Sequence, residues 1–168
     1  MYNPLVYVQV QYDGSIGGEG TAPDLLTAVV ERLLATPAVT GLLGDTANVF
    51  YELADTDTPP PFILVEGYTE VVPGESLDDS TIPLNIWIYS NSDLDTARTI
   101  GSVVKNTLDT PTINPNATMT TPLSFTAGTV IGVMRGNSAP LRKPGLGIGG
   151  KIVWCEQIQY DFWVSPTL

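Results

Sequence analysis

Two hydrophobic periodicities alternate along the chain, one of about 3.6 residues and one of two. Leu25, Leu26, Val29, Val30, Leu33 and Leu34 recur at helical spacing and predict an amphipathic helix. Ahead of it stands Thr21-Ala22-Pro23-Asp24. Thr21 is expected to cap the helix, Pro23 suits an early helical position, and Asp24 lies where a capping-box acid belongs. Thr36-Pro37 interrupts the pattern, and a further short turn from Ala38 to Leu43 is expected to close at Gly44. A second helix is expected to begin at Ser92 with Asp95 as its capping acid, and Leu94, Ala97, Ile100, Gly101, Val104 and Leu108 form its stripe.

Alternation with period two marks the strands. Residues 4–12, PLVYVQVQY, set Leu5, Tyr7, Gln9 and Gln11 against Val6, Val8, Val10 and Tyr12. ANVFYEL (47–53) is a short strand, and PFILVEGYTEVV (61–72) begins apolar on both faces, which predicts a central position. In TIPLNIWIYS (81–90), Ile82, Leu84, Ile86 and Ile88 face inward against Pro83, Asn85, Trp87 and Tyr89. Pro83 predicts an edge or an irregular start for that strand. Two long strands close the chain, LSFTAGTVIGVMRG (123–136) and KIVWCEQIQYDFWV (151–164). In the second, Ile152, Trp154, Ile158, Tyr160, Phe162 and Val164 share a face on which Glu156 is the exception.

Glycine, proline and acidic residues punctuate these elements. DGSIGGEGTAP (13–23) reads as a hinge, ADTDTPPP (54–61) cannot continue a ladder, PGESLDDS (73–80) is an acidic turn, and Thr110 to Pro122 is a loop. NSAPLRKPGLGIGG (137–150) is a connector much longer than a tight hairpin turn. The order is strand arm, helix, three strands, helix, two strands. Helices are too few and hairpins too many for a doubly wound parallel sheet. The expected fold is α+β: a mainly antiparallel sheet with two helices packed on one face, an N-terminal arm over 1–20, and a long β-hairpin connector, all of 21–168 forming one domain.

Composition supports a folded chain and narrows its chemistry. At 168 residues and 43% hydrophobic content, one domain with a real core is expected. No apolar run approaches the roughly 18–20 residues that cross a bilayer, and the first residues carry neither a basic start nor a cleavage pattern, so neither a membrane anchor nor a signal peptide is expected. The single cysteine, Cys155, allows no disulfide within the chain and fits a reducing cytoplasm. The chain contains no histidine, which removes the usual general base, the Ser-His and Cys-His pairs and the commonest zinc ligand. An enzyme here would have to use carboxylates, Lys or Tyr.

Charge is the sharpest global property. Eighteen acids against seven bases give a net charge of −11. A specific nucleic-acid binder carries a basic footprint, whereas an acidic surface suits a passage along which DNA slides without sticking. Asp55 and Asp57, with Glu75, Asp78 and Asp79, sit in two loops, but neither has the ligand rhythm of a calcium loop, and solvated turns are the simpler expectation. PGLGIGGK (144–151) matches the string of a phosphate loop and, through Gly145, Gly147 and Gly150, that of a dinucleotide fingerprint. Both need a helix to open after the last glycine. Here a β-alternating run follows and Ile152 stands where the metal-binding hydroxyl belongs. No catalytic residue, cofactor or metal is expected. Arg135, Arg142, Lys143 and Lys151, four of the seven cations, lie on or beside the long connector. They read either as a solubilised loop tip or as an arm that meets an acidic surface, such as that of a neighbouring copy. Tyr7 and Tyr12 on the N-terminal arm are the other candidate contact residues.

The succession of motifs resembles the tail completion family of tailed bacteriophages, which includes tail terminator and tail-to-head joining proteins. It is carried by PAVTGLLGD (Pro37 to Asp45), a short strand, a Pro-rich break, PFILVEG (Pro61 to Gly67), an acidic turn, IPLNIWIYS, DLDTARTIGSVVKNTL and the closing IQYDFWV. It covers roughly residues 22–110 and 151–164, and order and spacing carry it. The resemblance implies a virion structural protein, assembled in the host cytoplasm. It would form a ring, commonly a hexamer, at the head-proximal end of the tail tube, ending tube growth and joining tail to head. Its partners would be other copies of itself, the tail tube protein, a head-completion or neck protein, and genomic DNA passing through the lumen without specific binding. A head-closure or other neck ring component, and a small acidic ligand-binding domain or enzyme, are the alternatives.

Overall fold

The computed structural model describes residues 24–51, 58–67, 80–119, 121–143 and 153–166. Through them run α1 (Leu25–Leu34), α2 (Pro37–Leu43), β1 (Val49–Tyr51), β2 (Phe62–Gly67), β3 (Ser80–Ser90), α3 (Leu94–Leu108), β4 (Ser124–Phe125), β5 (Gly128–Lys143) and β6 (Val153–Pro166). The strands form one sheet in the order β1-β2-β3-β6-β5-β4. β1 runs parallel to β2, and the other four pairings are antiparallel. The architecture is therefore α+β with a mainly antiparallel sheet, as the hydrophobic pattern predicts. The strand expected at 4–12, its glycine hinge and the acidic turn at 73–79 lie outside the described residues.

Both long helices begin on an aspartate. The Asp24 carboxylate accepts from the Thr27 amide at 2.8 Å, and Asp93 accepts from Thr96 at 2.6 Å. The caps are thus Asp24 and Asp93 rather than the expected Thr21 and Ser92. Thr21 lies outside the described residues. The Ser92 hydroxyl instead donates to the Thr96 hydroxyl at 3.0 Å. α2 is a third, short helix, turned by 78° from α1 and ended at Gly44, whose φ of +81° favours a residue without Cβ.

The helices lie on one face of the sheet, and the register explains the core. Across it run the rows Val65, Ile86, Ile158 and Leu84, Tyr160, while Ile82 pairs with Phe162, which pairs with Val133. All of these are buried with Leu25, Val29 and Leu33 of α1, Val39 and Leu43 of α2, and Ile100, Val104 and Leu108 of α3. Period two sends the alternate residues to the far face. There Leu64, Tyr89, Val153 and Cys155 form a second, smaller cluster flanked by Phe50, Phe62 and Trp87. The Phe62 and Tyr89 rings stack with centroids 4.6 Å apart.

Three strand expectations change. β3 is interior, between β2 and β6, so of the two expectations for Pro83 the edge falls away and the irregular start stands. The pairing with β2 reaches Leu84, the residue just after it. The run 123–136 is not one strand, because a turn at Thr126–Ala127 folds β4 back on β5, Phe125 opposite Gly128. Finally, β5 continues to Lys143, so NSAPLRK belongs to the sheet and only residues 144–152 join β5 to β6.

Two outcomes follow. Ile86 is fully buried in the middle of the sheet, so Ile86→Ala is expected to cost about 2–5 kcal/mol, read as a lower urea midpoint at unchanged slope. Hydrogen bonds from Thr96, the amide first, hold the Asp93 carboxyl below its ordinary 3.8. A group depressed in the folded state stabilises above its unfolded pKa, and that contribution fades as pH falls through the folded value. Asp93→Ala should therefore lower the unfolding midpoint at pH 7, with a deficit that shrinks below pH 3.8.

Candidate functional site

α3 ends at Asp109, whose amide closes the helix by donating to the Lys105 carbonyl. The side chain is 0% exposed. A carboxylate at a helix C-terminus meets the negative end of the dipole, and burial strips its water, so it persists only with strong partners. Three elements supply them. Arg135 of β5 donates to Oδ2, Asn114 of the following loop donates to Oδ2 at 2.9 Å, and Tyr160 of β6 donates to Oδ1 at 3.0 Å. Burial first, then the Asp109 charge, push the Tyr160 phenol far above its ordinary value, so it remains a donor. Asn114 Nδ2 also donates to Asn106 Oδ1 at 3.0 Å, and the Thr118 amide donates to the Asn106 carbonyl at 2.7 Å, tying the loop to α3.

One helical turn earlier, Lys105 Nζ donates to Glu156 Oε1 at 2.7 Å. Glu156 is the polar exception on the inner face of β6, and its buried Oε2 has no hydrogen-bond partner. The carboxylate fits because residue 101 is glycine: a Cβ there would lie 2.3 Å from Oε2. These two ion pairs fasten α3 to β5 and β6. Each is internally matched, and among the described residues no group of His, Cys, Asp or Glu gathers to hold a metal.

Among the described candidate contact residues, Arg135 lies apart from Arg142 and Lys143. Arg135 points to the helix side and is 28% exposed at its side chain, with its charge engaged by Asp109. Arg142 and Lys143 lie seven and eight residues further along β5, roughly 20 Å away or more, opposite Trp154 and Val153. Ser90 also pairs with Trp154, so these two cations share an end of the sheet with the start of α3. Lys151, Tyr7 and Tyr12 lie outside the described residues, as do Asp55, Asp57, Glu75, Asp78 and Asp79. So does PGLGIGGK, after which the chain enters β6 rather than a helix.

The hydrophobic pattern does not single out the exposed apolar group at the other end of the sheet. Ile131, Met134 and Trp163 are 56%, 50% and 47% exposed. Two bulges in β5, one at Ile131 and one at Gly136–Asn137, break the period-two count and hide this grouping from a linear reading. The only available signal is Trp163 itself, an aromatic residue in the polar phase of β6.

The sequence profile of the family described as Tail completion protein gp17 matches residues 27–131. The chain belongs to this family and is a structural protein of a phage-like tail. Among solved structures, the fold is similar to a chain in the virion of a native gene transfer agent (GTA) particle, with a TM-score of 0.57 and 16% identity over 84% of this chain and 95% of that one. At that identity the likeness is one of fold. No curated protein matches the sequence.

The Asp109 node makes a clear prediction. Asp109→Ala leaves the Arg135 charge and the Tyr160 hydroxyl without their acceptor and should cost about 3–5 kcal/mol. Asp109→Ala combined with Arg135→Met and Tyr160→Phe should recover part of that loss, because the guanidinium and the phenol hydroxyl are removed with their acceptor while Asn114 keeps its bond to Asn106. Denaturant midpoints of the single and triple variants check both.

Proposed function

We propose that the chain is the subunit of a tail terminator ring, placed at the head-proximal end of the tail tube, where it ends tube growth and joins tail to head. The observation that carries this reading is membership of the tail completion family across residues 27–131. The charge of −11 supports it, because an acidic lumen lets DNA pass without being held. In this reading the subunits meet head to tail through unlike surfaces, and closure of the rotation gives a ring, most simply a hexamer. Its partners are the tube protein on one rim and a head-completion or neck protein on the other. The cations Arg142, Lys143 and Lys151, together with Tyr7 and Tyr12, are offered as contacts to a neighbouring subunit. Arg135 joins them only through the part of its side chain left exposed beside Asp109. Asp93 and Asp95, exposed at the start of α3, are acidic groups of the kind such cations would meet.

Light scattering on the purified chain and electron microscopy of assembled particles test the reading together. The expected result is a closed oligomer in solution and density for this chain between tube and head. A strictly monomeric chain absent from particles overturns it, and density at the tail tip or within the head portal relocates the ring.

A further inference from the structure

The outer edge of β5 is much longer than the strand that covers it. β4 pairs with Gly128 and Thr129, the Val130 amide donates to the Leu123 carbonyl at 2.8 Å, and from Ile131 onward no described strand lies on that side. Such an edge directs unpaired N–H and C=O groups outward, where another extended segment can continue the ladder. Its distal part is blunted by the bulge at Gly136–Asn137 and by Pro140, which has no N–H. Between the two bulges, Gly132 to Arg135 keep one-to-one pairing with β6 and include no proline. Beside this stretch lie the exposed side chains of Ile131, Met134 and Trp163. The Trp163 ring lies close over Gly132, where a Cβ would meet it at 2.7 Å. A shallow groove, walled by Thr110, Met119, Thr121 and Pro122, opens along the same edge at Ile131 and Gly132.

We propose that this edge, Ile131 to Gly136, receives residues 4–12 of a neighbouring copy as an added strand. Three observations select that occupant. First, PLVYVQVQY alternates as a sheet strand does, so that, paired on this edge, Val6, Val8 and Val10 would extend the apolar helix-side face past Val130 and Val133, and Leu5 and Tyr7 would lie beside Met134 and Trp163. Second, in a chain with 25 charged side chains, residues 1–12 carry none and residues 110–134 carry none. The segment and the edge from Ile131 to Met134 are thus two surfaces that can meet between acidic copies with little like-charge repulsion, and Arg135 at the end of that edge is already paired with Asp109. Third, the eleven residues 13–23 between the segment and Asp24 can extend roughly 36–40 Å, far enough to leave the subunit. The exchange rests on the ring reading, in which each copy presents one surface and receives a different one.

The test uses the full chain with Cys155→Ala to remove the native thiol. Tyr7→Cys and Met134→Cys, which the proposal sets on the same face, are made in two versions distinguishable by a size tag, mixed, assembled and oxidised with diamide. The expected result is a disulfide between the two differently sized copies, and a ladder of covalent oligomers from the double variant Tyr7→Cys/Met134→Cys. Deletion of residues 2–12 should leave the unfolding midpoint unchanged while weakening self-association by about tenfold or more. A double variant that closes only within single chains overturns the exchange in favour of each chain covering its own edge. Rings that assemble without any Tyr7–Met134 disulfide also overturn it while leaving the ring reading intact. A chain that light scattering finds monomeric at the same concentration overturns the ring reading itself.

Discussion

Asp109 is a buried carboxylate at the wrong end of a helix, and the placement of α3, β5, β6 and the 110–122 loop depends on its being satisfied. Its partners come from 5, 26 and 51 residues away along the chain. Helix, loop and both strands must all be in place before the charge is neutralised, so the interaction selects one arrangement even where its net contribution to stability is small. It also sets the phase of β5. Arg135 must face the helices to reach Asp109, and the bulges on either side of the Gly132–Arg135 stretch absorb the mismatch with β6.

The Lys105–Glu156 pair acts at a different point of the same junction. It joins α3 to the inner face of β6 just where the apolar row of Ile158, Tyr160, Phe162 and Val164 gives way to a carboxylate. β6 is the last strand in sequence and a middle strand in space, lying between β3 and β5. The family match ends at Ile131, inside β5, and so leaves out the strand that closes the sheet. The boundary of the matched segment is therefore not a boundary of the fold. The core under α3 is incomplete until residues 153–166 insert, which makes the last part of the chain essential to the packing of the first.

What could be read from the residues alone followed from periodicity. α1, α3 and β3 carry clean patterns, and Glu156 could be seen as an exception because the rest of its face is apolar. The caps were misplaced by one to three residues because Thr21 and Ser92 stand close to aspartates that could do the same work. In the second case Ser92 is drawn instead to the Thr96 hydroxyl. Pro83, for which an edge or an irregular start is expected, lies in β3 just before the Leu84 row, where the described pairing with β2 ends. The Asp109 node was not legible, since an acid at a helix end looks solvated until strands from elsewhere bring it an arginine and a tyrosine. The same holds for the exposed group around Trp163, because simple alternation sets Ile131 and Met134 on opposite faces of β5, whereas with the bulge at Ile131 both are exposed.

Copies of a chain with a net charge of −11 repel one another, and salt screens only the part of that repulsion acting beyond about 8–10 Å. A ring built from them needs contacts that do not depend on bringing more charge together. The few cations cannot supply that everywhere: Arg135 and Lys105 are committed to buried acids within the subunit. Backbone pairing and apolar burial remain, and both are available where the sequence is free of charge. Residues 110–134 are such a region, running from the end of α3 through the loop and β4 to the open part of β5. The node at Asp109 holds this uncharged region in shape from behind, through Asn114 on one side and Arg135 on the other. The ionic interaction is thereby kept inside the subunit, and the surface left for association is the uncharged one.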